Sequence, residues 1–337
     1  MVPITVDNLN FLDIELTNWC NANCPMCART NDDGTPASEL INNSHLTLDL
    51  IDRQIGSKIV SQVNTIGCVG SLGDAIMNPE CLEIMQYFRH HNATALIGLS
   101  TNGGVRSEKF WSELGSIPGM RANFAIDGLA DTNHLYRRNV DWTKLIRNVK
   151  AFIAAGGEAT WQYIIFKHNE HQVEEARQLS EELGFNAFTP IYTVKWQVRN
   201  WSDFNKIDKT MAWPVDNGLY YLEPPKSQLQ STVQLDAPKF NLTKKIKCEV
   251  ASDGVYRIMI RANGVVQPCC MLGELSRHQF TELVDNPDDI NLNHRSLEEI
   301  LTGSFFNRLY AGINGGPERL QTCFYHCGIG ESHNRLQ

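Results

Sequence analysis

The sequence predicts an α/β chain built on a parallel sheet, and three observations carry that reading. Strand-like and helix-like runs alternate six times up to about Tyr192, which calls for parallel pairing with right-handed crossovers. A C-x3-C-x2-C group (Cys20, Cys24, Cys27) follows the first strand-like run directly. A second cysteine group (Cys248, Cys269, Cys323, Cys327) brackets a hairpin-like run far downstream.

The elements follow in order. Phe11 to Leu16 is strand-like and Thr17 to Cys27 is a loop. Past a turn-rich stretch at Asn31 to Gly34, Thr47 caps a helix to about Ser61, with Leu48, Ile51, Ile55 and Ile59 on one face. Strands are expected at Val63 to Val69, Ala95 to Leu99, Ala122 to Ile126, Thr160 to Phe166 and Phe188 to Tyr192. Helices are expected at Pro79 to His91, Ser107 to Leu114, Trp142 to Ala155 and Glu170 to Leu183, with Asn78 capping the first and Asn169-Glu170 the last. Periodicity alone fits an open doubly wound sheet and a closed barrel equally, and in both the working residues sit at the carboxyl ends of the strands.

From about Val194 to Lys247 the alternation fades, and Trp196, Trp201, Trp213 and Tyr220-Tyr221 alternate with prolines and polar residues. That stretch is too aromatic for a disordered linker; it either covers the sheet's mouth or packs between domains. Residues 254–269 read as a hairpin turning at Asn263-Gly264, which brings Cys248 and Cys269 towards its base.

Composition bounds the function. The 337 residues allow two domains. A net charge of -8 gives no general attraction to nucleic acid. No apolar run of about eighteen residues and no signal-like amino terminus is present, so no membrane partner and a cytoplasmic location are expected. Ten cysteines in groups read as metal ligation in a reducing compartment rather than disulfides. Three thiolates cannot close a tetrahedral zinc site, whose nearest further candidate ligand is His45, but they leave one iron of a [4Fe-4S] cubane open. The four later cysteines fit either a fully ligated cluster or a structural zinc.

Cys20, Cys24 and Cys27 resemble the signature of the radical S-adenosylmethionine (SAM) superfamily, C-x3-C-x-Φ-C, with Met26 in place of the usual aromatic Φ. The resemblance implies a partial (β/α)6 TIM-like barrel, an open iron that chelates SAM, and reductive cleavage of SAM to a 5'-deoxyadenosyl radical. It also implies that Met26 lies near the adenine. Gly70 to Pro79 is similar to the family's glycine-rich motif, with Asp74 for its glutamate and Ala75 for its proline, so Gly73 and Asp74 are implied SAM contacts; a plain glycine turn is the alternative. Ser100 and Asn102 sit in a Thr-Asn-Gly turn that resembles the one beside the SAM ribose and methionine. Arg137, ten residues after Asp127, keeps the spacing of an arginine that contacts the SAM carboxylate, while Ala125 lacks the accompanying serine hydroxyl. A solvated surface arginine is the alternative, which fits Arg138 better.

Cys248-x15-Gly264-x4-Cys269 with Cys323-x3-Cys327 resembles the SPASM/Twitch extensions of these enzymes, in the shorter form with one auxiliary [4Fe-4S] cluster and Cys270 as a spare thiol. The implied division is a radical SAM barrel over 1–195, an aromatic connecting segment over 196–245 and a small auxiliary-cluster domain over 246–337. The implied function is hydrogen-atom abstraction leading to an oxidation, with the auxiliary cluster accepting an electron, flavodoxin or ferredoxin as external electron donor, and a small-molecule or peptide substrate. A barrel beginning near residue 11 favours the small or self-recognised substrate. The rival readings are modification of a ribosomal peptide or protein, by cross-link or epimerisation, and a zinc-stabilised interaction protein.

Overall fold

The computed structural model describes residues 2–31, 34–38, 41–193, 213–229, 246–248, 250–269, 272, 283–318, 320, 323 and 327. Most of the connecting segment, with Trp196 and Trp201, and Cys270 lie outside the described residues.

Six parallel strands run in sequence order: β1 (Phe11–Ile14), β2 (Thr65–Cys68), β3 (Leu96–Thr101), β4 (Met120–Ala125), β5 (Glu158–Ile164) and β6 (Ala187–Ile191). The helices between them are α1 (Leu48–Gln54), α2 (Gly56–Gln62), α3 (Cys81–His91), α4 (Glu108–Gly115), α5 (Asn133–Tyr136), α6 (Trp142–Ala154) and α7 (Val173–Leu183). This is the expected α/β architecture, a mostly parallel sheet of the partial-barrel kind whose edges do not close on one another.

Each strand alternates. Ile97, Leu99, Ala122, Phe124, Ala159, Trp161 and Tyr163 are at most 3 % exposed on the helix-facing side, where Trp111, Phe124 and Phe152 stack with ring centroids 5.3–6.2 Å apart. On the other side Gly98, Ser100, Asn123, Thr160 and Gln162 are half-buried. The sheet therefore has one sealed face under the helices and one open concave face.

Two further strands flank the hairpin strand. β7 (Trp213–Val215) and β8 (Tyr220–Leu222) form a separate antiparallel pair, and Asp216 between them takes both guanidinium nitrogens of Arg138, at 2.5 and 3.0 Å. β9 (Ala251–Ser252) and β11 (Val266–Gln267) both pair antiparallel with β10 (Val255–Ile260). The expected hairpin turns at Asn263-Gly264, where Gly264 N–H donates to Arg261 O and Arg261 N–H to Val265 O. β10 joins the main sheet, parallel to β1 with Arg257 opposite Phe11 and Ile260 opposite Ile14. The helices Leu297–Leu301, with a Ser296/Glu299 capping box, and Ser304–Ile313 follow.

Three local readings are corrected. The helix expected from Thr47 to Ser61 is capped by the Thr47 hydroxyl but breaks at Gly56, whose φ of +80° no right-handed helix contains. Asn78 is not the cap of α3 but lies two residues before it, its Oδ1 accepting from the N–H of the cap residue Glu80 at 2.8 Å; its amide donates to Leu16 O and Leu46 O at 2.7 and 2.8 Å, holding the end of β1 to the turn before α1. Asn169 likewise makes no side-chain cap: fully buried, it donates to Asp127 O and Ile164 O, both at 2.9 Å, and so ties the ends of β4 and β5.

Candidate active site at the carboxyl edge of the sheet

The loop leaving β1 carries the three cysteines to the carboxyl edge of the sheet, and its neighbours fix it there. The Thr17 hydroxyl accepts from Trp19 N–H at 3.0 Å, and Cys27 N–H donates to Cys24 O at 3.0 Å. Arg29 donates to Asn18 O and, at 2.7 Å, to Leu72 O, joining the cysteine loop to the glycine loop after β2. A Cβ on Gly73 would lie 1.8 Å from Thr17 O, and one on Gly70 would lie 1.6 Å from Gly73 O. Close backbone approach accounts for both glycines, so the turn reading of this loop stands on its own.

Each of two thiols faces a donor. Asn102 Nδ2 lies 3.6 Å from Cys20 Sγ, and Arg137 Nη1 lies 3.6 Å from Cys24 Sγ. Burial, then the charge of Asp74, pushes the Cys20 thiol up to about 12; burial, opposed by Arg137, pushes Cys24 up to about 11. Thiols held this way resist ionisation on their own, while a positively charged cluster core would stabilise thiolates, so the chemistry of the three cysteines suits a [4Fe-4S] group, although among the described residues no three His, Cys, Asp or Glu side chains are grouped as a metal site.

Asp74, only 4 % exposed, is the hub of the edge. Its Oδ2 accepts from Asn102 N–H and Asn102 Nδ2, both at 2.7 Å, and from Thr101 Oγ1 at 3.1 Å. Asn102 Nδ2 also reaches Asn21 Oδ1 at 2.9 Å, linking the end of β3 to the cysteine loop. Burial raises the Asp74 carboxyl to about 6 against these donors.

Arg137 is no solvated arginine: its Nε meets Asp127 Oδ2 at 2.5 Å, with the side chains 16 % and 0 % exposed. Asp127 Oδ1 accepts from Ile164 N–H at 2.5 Å, and Asp127 N–H donates to Asn133 Oδ1 at 2.9 Å. Asp127 thus aims Arg137 at the cysteine loop, a role the sequence held only as the start of a spacing. The Arg138 expectation also changes, since that side chain is a quarter exposed and paired with Asp216.

Cys20, Cys24, Cys27, Gly73, Asp74, Asn102 and Arg137 therefore meet at one edge. Ser100 stands on the open sheet face opposite Asn123 in register, and Met26, 2 % exposed, packs into the core. Of the later cysteines, Cys248 and Cys327 are brought together by the Lys247 N–H bond to Cys327 O at 2.8 Å. Cys269 lies just past β11, and Cys248, Cys269 and Cys323 all pack against the core. Among the described residues no helix is long and apolar enough to cross a membrane.

Residues 14–180 match the family model described as the radical SAM superfamily. The structure of Streptococcus suis SuiB aligns with a TM-score of 0.57 at 13 % identity, over 90 % of this chain and 67 % of that one. SuiB bound to S-adenosylmethionine aligns at 0.51 and 12 % identity, over 79 % of this chain and 61 % of that one. Native anSMEcpe with bound AdoMet aligns at 0.52 and 13 % identity, over 89 % and 82 %. At these identities the likeness is one of fold, and the chain spans about three fifths of the SAM-bound SuiB chain. No curated protein matches in sequence.

Proposed function

We propose that this chain, whose residues 14–180 form a radical SAM domain, is an enzyme that abstracts a hydrogen atom from a polar substrate and carries it to an oxidised product. The family implies a [4Fe-4S] cluster and SAM, which when bound supply a reductively generated 5'-deoxyadenosyl radical. The observation that carries the reading is the thiol set of Cys20, Cys24 and Cys27 at the carboxyl edge of a parallel sheet, with Asn102 and Arg137 each 3.6 Å from a different thiol.

In this reading Arg137 receives the SAM carboxylate through the guanidinium nitrogens that Asp127 leaves free. Asp74 keeps Asn102 oriented, Gly73 lets the glycine loop lie against the cysteine loop, and Ser100 and Met26 border the SAM pocket. Cys248, Cys269, Cys323 and Cys327 hold a second [4Fe-4S] cluster that takes an electron from the substrate. Fully ligated, that cluster has no open iron, so electron transfer suits it better than substrate coordination. The electron source for the first site is a flavodoxin- or ferredoxin-type donor, and the grouped cysteines favour a reducing compartment such as the cytoplasm.

A peptide is the second candidate substrate. Its support is that two of the similar folds are described as peptide complexes, SuiB bound to precursor peptide SuiA (TM-score 0.53) and anSMEcpe with Cp18Cys peptide (0.51).

The test is anaerobic turnover. Reconstituted protein with a reductant should convert SAM to 5'-deoxyadenosine, and Cys24→Ala should abolish this. A folded Cys327→Ser variant should still cleave SAM and take deuterium from labelled substrate, yet form little oxidised product. Stoichiometric zinc without iron in anaerobically isolated protein would defeat the reading.

A further inference from the structure

Six charged side chains on or next to the described strands form three ion pairs, within which Asp13 Oδ1 and Arg261 Nη1 make no hydrogen bond. Arg121 Nε lies 2.9 Å from Glu158, Arg261 Nε lies 3.2 Å from Glu15, and Arg257 bonds Asp13. What remains across β3 to β6 is an uncharged polar patch. Ser100 is in register with Asn123, Asn123 with Thr160, and Gln162 with Thr189. This patch borders the reaction edge, since Ser100 precedes Asn102 by two residues and Asn102 touches Cys20.

Within it Asn123 Nδ2 donates to Gln162 Oε1 at 3.0 Å, and the buried Asn123 Oδ1 has no hydrogen-bond partner. A single hydrogen bond between two carboxamides always leaves at least one acceptor and one donor that the pair itself does not use. Exchanging N and O in both groups reverses which residue offers which but keeps the pair. A carboxylate or phosphate only accepts and an ammonium only donates, so each would leave one of these groups unmet. On the two strands that carry the pair, the charged neighbours Arg121 and Glu158 are already bonded to each other.

We infer that the part of the substrate lying against Asn123 and Gln162 is an uncharged group that both donates and accepts a hydrogen bond, and that these two side chains set that selectivity. The inference rests on the enzyme reading above and names its substrate chemistry. The hydroxyl of an alcohol and the amide of a peptide share this chemistry.

Crystals of the cluster-loaded full chain, grown with SAM, would be soaked in parallel in ethylene glycol, N-methylacetamide, acetate and methylammonium. Ethylene glycol or N-methylacetamide bound to both Asn123 and Gln162 is the expected result, and which of the two binds separates the alcohol source from the peptide source. Acetate or methylammonium bound there in preference, or water alone in all four soaks, would overturn the inference. Asn123→Leu supplies a second measurement. It should lose the bound probe and lower the melting temperature by no more than the loss of the single Asn123–Gln162 bond accounts for, since the acceptor it removes is one that the fold leaves unmet. A larger fall in melting temperature would show that Asn123 serves the fold instead. SAM affinity, measured on the same proteins, separates this inference from its premise: wild-type protein that fails to bind SAM refutes the enzyme reading, whereas normal SAM binding with charged probes at Asn123 refutes only the substrate chemistry.

Discussion

Asp127 and Arg137 are each other's main partner, 2.5 Å apart and nearly closed to solvent. Removing Arg137 alone strands a buried carboxylate, so Arg137→Ala should cost about 3–5 kcal/mol of stability in denaturant titrations. The paired change Arg137→Met with Asp127→Asn should recover most of that loss. In this paired variant SAM affinity should still fall by about 1.5–3 kcal/mol, the usual worth of a charge-assisted hydrogen bond, and undiminished affinity in calorimetry would remove Arg137 from the SAM site. A second residue responds to pH. His168 lies flat on Phe166 with ring centroids 5.2 Å apart, and burial, with His134 and His171, lowers it to about 4. The unfolded chain therefore binds more protons than the native one between about 4 and 6.5, and stability falls as pH drops through that window. His168→Phe should flatten this acid limb of the stability–pH curve and leave stability above pH 7 nearly unchanged. The sequence pointed to Arg137 by its spacing, yet the side chain that aims it, Asp127, acts through an ion pair that no local pattern reports. Met26, marked by the motif for the ligand, is 2 % exposed, a burial that the motif position does not report.

The elements that shape the site were legible where a periodic pattern was long, and less so where one side chain ties distant backbone. The Thr47 cap is where the sequence placed it, and the helix expected from Ser107 is α4, with Ser107 as its cap. The break at Gly56 is not in the apolar pattern, because Leu48, Ile51, Ile55 and Ile59 keep helical spacing across it. Asn78 and Asn169 read as caps from sequence because capping is local, whereas their amides also reach backbone carbonyls far away in sequence, Leu16 and Leu46 for the one and Asp127 for the other. The glycine loop permits a sharp test. With a Cβ only 1.8 Å from Thr17 O, Gly73→Ala must push the loop away from the cysteines. It should lower the melting temperature by at least several degrees and reduce iron retained after reconstitution, both readable on one preparation. Gly119→Ala, whose added Cβ would meet only the end of the Arg89 side chain at 3.4 Å, should retain full iron.

For the whole molecule, iron stoichiometry tests the two-cluster proposal. Anaerobically reconstituted protein should hold about eight irons and eight sulfides, and replacing Cys20, Cys24 and Cys27 together with alanine should leave about four, as two independent cubanes require. Four irons in the wild type and none in that variant would mean that the later cysteines bind no cluster. The six parallel strands were readable from alternation, their order only from the resemblance to a partial barrel, and the hairpin at Asn263-Gly264 from its turn residues. Its docking was not, because nothing in residues 255–260 distinguishes a strand that pairs with β11 alone from one that also lies beside β1. That pairing has a consequence during synthesis. β1 leaves the ribosome well before its outer partner, which starts at Val255. At about 5–20 residues per second the edge of β1 stays uncovered for roughly 12 to 50 s, offering its backbone to any neighbouring nascent chain. Translation stalled before Val255 should therefore yield chains that aggregate or stay bound to chaperones, while stalling well past Gln267 should release protease-resistant ones.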